Sequence, residues 1–183
     1  MIKIKKEIKS RVFQGDIFKN VEYIEYAKEE SGIIEVSKII FPFVIVLTQD
    51  CDLEWDYKYR WSRTTYGNQD KWLLSTLVAP LYNAEHMFEG SQLSKLNMNM
   101  SPLGRNSSTL KNNKNPRYHY LEFSDEIPIV ISIIDFKHYF SVNNLYLKKI
   151  IRSNFVCRVS ELYREDISQR FASFLSRIGL PNY

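Results

Sequence analysis

Cysteine and histidine are scarce in this 183-residue chain. Its two cysteines, Cys51 and Cys157, cannot form a framework of disulfides. The basic start, residues 1–6, is followed by no apolar leader, so reduced thiols in a cytoplasm are expected. The three histidines, His86, His119 and His138, bound any acid–base chemistry. Without CxxC or HxxxH spacing, no metal and no cofactor is expected. No apolar run approaches the roughly 20 residues that span a bilayer, which argues against a membrane role. Strong charge of one sign is also lacking: a net charge of +4 permits a nucleic-acid partner without demanding one. What the chain does have is 44% hydrophobic and 14% aromatic residues, enough for a sizeable core and too much for disorder.

The most informative stretch is residues 41–56, FPFVIVLTQDCDLEWD. Residues 43–47 form a continuous apolar run rich in β-branched side chains, the pattern of a strand buried on both faces. The sequence then switches to Thr48-Gln49-Asp50-Cys51-Asp52. A strand ending so would deliver two carboxylates and a thiol to the rim of a core, where sites are often built.

Around it, residues 1–11 read as a basic arm or short first strand, and Gly15 as the turn or bulge before an alternating strand over 21–26. Residues 28–32 read as a hairpin loop and 33–40 as the return strand, with Pro42 at the entry of the central strand. Residues 57–70 read as a loop or short irregular helix, and 72–81 as a strand ended by Pro80. Asn83 can cap a helix through about 96. Residues 97–116 hold six Asn, two Pro and only basic charges, and read as a long inserted loop. Strands follow at 117–123 and 128–135, residues 137–142 continue the sheet or turn back, and Asn143-Asn144 breaks it. Leu162, Ile167, Phe171, Phe174, Leu175 and Ile178 recur at helical spacing after Ser160, with Gly179 and Pro181 as the stop, so a C-terminal helix is expected over 160–178.

Three blocks in order, Gly15-Asp16-Ile17, the strand of 41–47 with its Pro42, and Leu77-Val78-Ala79-Pro80-Leu81, resemble the MazF/PemK family of toxin endoribonucleases. The resemblance covers residues 12–83 and implies a small SH3-like barrel, often dimeric. The family's catalytic Arg position is Phe41 here, and its catalytic Thr or Ser falls near Tyr82, so the resemblance carries over the barrel and not the activity. The segment 49–53 and the ending from Arg164 resemble uncharacterised bacterial proteins.

The expected architecture is α+β and mainly β: one domain over 1–183, with an SH3-like barrel over 12–142, a long inserted loop, and the helix packed on the barrel. Asp50, Cys51, Asp52 and His119 are the candidate catalytic residues. The alternative makes Cys51 a small buried hydrophobe, with Asp50 and Asp52 capping the next turn. Asp135 and His138 place an acid and a histidine at a strand end. Aromatic and basic residues interleave in Tyr59, Arg60, Trp61 and Arg63, and again in Arg105, Lys111, Arg117 and Tyr118. That pattern suits RNA or single-stranded DNA, since bases stack on rings while cations meet phosphates. The sequence thus suggests a bacterial nucleic-acid-binding protein of toxin or defence type, or a diverged endoribonuclease. Two other readings are a non-catalytic module binding a protein encoded nearby, and a Cys-dependent or zinc hydrolase centred on Cys51.

Overall fold

A computed structural model describes residues 1–61 and 68–177. The fold is mixed α+β, with a mainly antiparallel sheet curled into a half-barrel and a C-terminal helix. The strands are β1 Ile4–Lys5, β2 Asp16–Glu30, β3 Ile33–Val46, β4 Ser75–Asn83, β5 Tyr118–Leu121, β6 Ser132–Asp135, β7 Phe140–Asn143 and β8 Phe155–Val159. The helices are α1 Asp50–Trp61, α2 Ala84–Glu89, α3 Ser108–Lys111, α4 Asn144–Asn154 and α5 Glu161–Leu175. Sheet order is β1-β8-β2-β3-β4-β6-β5, with β7 also pairing β4.

The expected two-faced burial of the central strand holds. Val44, Ile45 and Val46 are all at most 1% exposed. Ile17 and Ile45 face one cluster with Phe136 and, from α5, Ile167, Phe171 and Phe174. Phe18, Val44 and Val46 face a second cluster with Leu53 of α1 and Leu147 and Ile151 of α4. Helices therefore cover both faces, and neither strand face could be polar.

Several expectations need correction. The strand ends at Val46, and Asp50-Cys51-Asp52 is the first turn of α1 rather than a strand end. Carboxylates suit a helix start because the free N–H groups there favour negative charge. Of the loop or short irregular helix expected over 57–70, residues 57–61 are helical and continue α1, and residues 62–67 lie outside the described residues. Pro80 lies inside β4 and does not end it. On one side of β4 the partner changes from β7, whose pairing stops at Val78, to β6, which begins at Leu81. Pro80 falls in that gap, where a missing N–H costs little.

The helix after Asn83 stops at Glu89, because Gly90 turns left-handed (φ 74°) and passes against the Met100 carbonyl. The Asn-rich loop contains α3, and Asn113 pairs with both backbone groups of Tyr120, standing in for a strand beside β5. Asn143 breaks the sheet as expected, but does so by capping α4, an element not anticipated, as β8 also was not. The C-terminal helix is confirmed to Leu175; Ile178, Gly179 and Pro181 lie outside the described residues. Of its expected stripe, Leu162 is 75% exposed.

β2 and β3 extend past the sheet as a two-stranded arm closed by Ser31-Gly32, both at positive φ, as a tight hairpin requires. Ile24, Ile33, Ile34, Val36 and Ile40 are exposed on it.

Candidate nucleic-acid interface

The Asp-Cys-Asp segment sits in a cluster of arginines. Arg11 donates to both Asp50 oxygens at 3.0 Å, the Gln14 N–H donates at 3.2 Å, and Arg164 lies 3.6 Å away. Burial alone would raise the Asp50 carboxyl, but the bonds and charge of Arg11 outweigh it and hold the pKa below the usual range. Arg11 and Arg158 each lie 3.5 Å from the centroid of Phe13, so they must occupy opposite faces of that ring. Arg158 also bonds the fully buried Asp16 at 2.5 Å. Burial pushes the Asp16 carboxyl up to about 6 despite that partner.

Cys51 is exposed, not a buried hydrophobe; its thiol is 3.7 Å from Gln49 Oε1 and 3.9 Å from Asp52 Oδ1. Among the described residues no histidine bonds Cys51, Asp50 or Asp52, and no cluster of three or more His, Cys, Asp or Glu could hold a metal ion. His119 is 2% exposed and accepts a hydrogen bond from Arg170 Nε at 3.0 Å on Nδ1. Burial, with Arg170 beside it, depresses its pKa to about 3. Of the four residues expected to form a catalytic group, Cys51 and Asp52 are neighbours, whereas Asp50 is held by Arg11 and His119 by Arg170.

The aromatic residues of α1 give a more coherent surface. Trp55, Trp61 and Trp72 are each 40–49% exposed. Tyr59 is half-buried with its ring 5.6 Å from that of Trp55. Four cations lie over these rings: Lys58 and Lys71 near Trp55 (5.6 and 5.5 Å), Arg60 over Trp72 (4.4 Å), and Lys148 near Tyr57 and Trp61 (4.9 and 5.6 Å).

Arg60 does not present itself freely to phosphate. It donates to Asp56 Oδ1 at 3.0 and 2.7 Å and to the Leu73 carbonyl at 2.7 Å. Asp56 is 2% exposed and also accepts from the Leu73 N–H and Asn144. The network ties α1 to α4 and to the residues before β4, and holds Arg60 against Trp72. Lys58, Lys71 and Lys148 are the cations the sequence reading missed. Lys148 belongs to α4, far along the chain, so only folding brings it to Trp61. Arg63 lies outside the described residues.

Of the second predicted group, Arg105 and Lys111 lie at a cleft of about 430 Å³ that Asn83, Phe88 and Tyr120 also line. Arg105 pairs with Glu85 at 2.5 Å and covers Phe88 at 5.0 Å. Lys111 makes no ion pair among the described residues. Arg117 is committed elsewhere: its Nε and Nη2 donate to the two oxygens of Asp135 at 2.8 and 2.5 Å, and it covers Tyr118 at 4.9 Å. The predicted binding residues therefore do not share one surface: those of α1, the Arg105 and Lys111 pair, and Arg117 with Tyr118 are set apart.

The chain matches no protein-family model, and no curated protein or solved structure shows significant similarity to it. No helix among the described residues is long and apolar enough to cross a membrane.

Proposed function

We propose that the protein binds single-stranded nucleic acid, RNA or DNA, as a bacterial protein of toxin or defence type on a diverged MazF/PemK-like barrel. The observation that carries this reading is the set of three half-exposed tryptophans with four cations over the rings of α1 and its neighbours. Stacking platforms flanked by cations are what a sequence-tolerant single-strand binder needs. If the protein also cleaves RNA, the acid and base must come from groups other than Asp50 and His119, which internal contacts hold.

Tryptophan fluorescence titrated with a short uridine or thymidine oligonucleotide tests the reading. Binding should quench the emission and weaken as salt rises. Trp61→Ala should lose about 1–3 kcal/mol. Lys71→Gln with Lys148→Gln should shallow the salt dependence by about 0.7 in log–log slope per lost phosphate contact. No salt-dependent quenching would sink the proposal.

The second reading, a protein-interaction module, draws on the exposed isoleucines and valine of the arm rather than on α5, whose Ile167, Phe171 and Phe174 are buried. A stoichiometric protein partner without nucleic acid, on purification from the host, would favour it.

A further inference from the structure

A separate pocket of about 310 Å³ opens between the root of the arm, β4 and the segment entering β7. Its walls include Tyr23, Phe41, Phe140, Tyr82 and His138. Phe41 and Phe140 stack at 5.3 Å, and Tyr23 meets Phe140 edge-on at 5.1 Å. No Lys or Arg lines it, and its one carboxylate is Glu25, held by the Ser37 hydroxyl at 2.7 Å. A phosphate would meet repulsion there and no counter-charge, so an uncharged flat ring is the chemistry that fits.

Two polar groups converge in this apolar setting. The Tyr82 hydroxyl is 3.1 Å from His138 Nδ1, and Asp135 Oδ2 is 3.6 Å from the same nitrogen. Asp135 is itself fixed by Arg117 and by the Lys137 N–H. This chain from Arg117 through Asp135 orients the imidazole. Burial, then Arg117 and Lys137, depress the His138 pKa against the opposing pull of Asp135, which favours a neutral ring. Burial and Asp135 keep the Tyr82 hydroxyl protonated, and such a hydroxyl can donate to Nδ1 or accept from it, which leaves Nε2 as the ring nitrogen open to a ligand. Nε2 makes no hydrogen bond among the described residues.

We propose that this pocket takes one unstacked nucleobase of a bound single strand, its face against Phe41, Phe140 and Tyr23 and its edge hydrogen-bonded to His138 Nε2. Tyr82 and Asp135 are positioning residues. The inference rests on the nucleic-acid reading above and adds a base-reading site away from the tryptophans of α1.

The test compares a thymidine oligonucleotide with an abasic deoxyribose-phosphate chain of the same length. Wild-type protein should bind the thymidine chain at least tenfold more tightly than the abasic one. His138→Ala should weaken the thymidine chain about tenfold, leave the abasic chain unchanged, and keep the salt slope of both. Tyr82→Phe, which retains the ring, should do the same to a smaller degree and guards against misfolding of the first variant. If both variants bind thymidine chains as wild type does, the pocket assignment is overturned while the nucleic-acid reading stands. If wild-type protein binds neither chain, both fail.

Discussion

His119 and Gly15 illustrate opposite ways in which one residue constrains this fold. His119 is a buried neutral imidazole whose pKa of about 3 lies far below the ordinary 6.5. Below pH 6.5 the unfolded chain takes up a proton that the folded chain refuses, so stability is fully present above that value and falls as pH drops toward 3. Each unit is worth about 1.4 kcal/mol, so His119 should pull urea midpoints down between pH 7 and pH 5, against Asp16, whose raised carboxyl takes up a proton in the folded state and acts the other way. His119→Gln, whose amide oxygen can still accept from Arg170, should flatten that part of the profile; an unchanged profile would show that His119 is not its source. At Gly15 the constraint is space and backbone. Its φ is +79°, and an added Cβ would sit 2.6 Å from Val159 Cγ2, where β2 meets β8. Gly15→Ala should destabilise the protein by about 2–4 kcal/mol in urea denaturation, from strain and overpacking together.

Among the elements, the arm is the one the core does not need. Residues 24–40 belong to none of the three hydrophobic clusters, whereas Ile17, Phe18, Val21, Val44 and Ile45 at its root do. Ile24 pairs with Lys38 across the arm, and Lys38 binds Glu22 at 2.6 Å. Replacing residues 25–37 by Asn-Gly would leave that pair flanking a two-residue hairpin turn. The shortened protein should melt within about 3 °C of wild type by calorimetry. A large loss would mean that the arm packs on something essential. In α1 the opposite holds: Leu53 and Asp56 anchor one side of the helix, while Trp55 and Trp61 remain exposed. That division makes the helix both structural and available for stacking.

For the whole molecule, the arrangement of helices decides what the strands can offer. α5 closes one face of the curled sheet, and α1 with α4 closes the other. The central strand, the hairpin and α5 were legible because each carries its own periodicity or turn chemistry. α4 and β8 were not, since Asn143-Asn144 looks like a break whether it ends a sheet or caps a helix. The Asp-Cys-Asp segment misled for a related reason: carboxylates after an apolar run fit a strand end and a helix start equally well.

The sequence by itself determined the double-faced core strand, a hairpin loop within 28–32, the C-terminal helix and the interleaving of aromatic with basic residues. Those are local properties, written in spacing and composition. Only the tertiary structure decided that Arg60 and Arg117 turn inward to Asp56 and Asp135, that Lys148 comes to Trp61, and that Tyr82 meets His138. Arg60 and Asp56 stand one helical turn apart, but the burial of that pair depends on Leu73 and Asn144, which lie farther along the chain. Side-chain type alone does not encode that pairing.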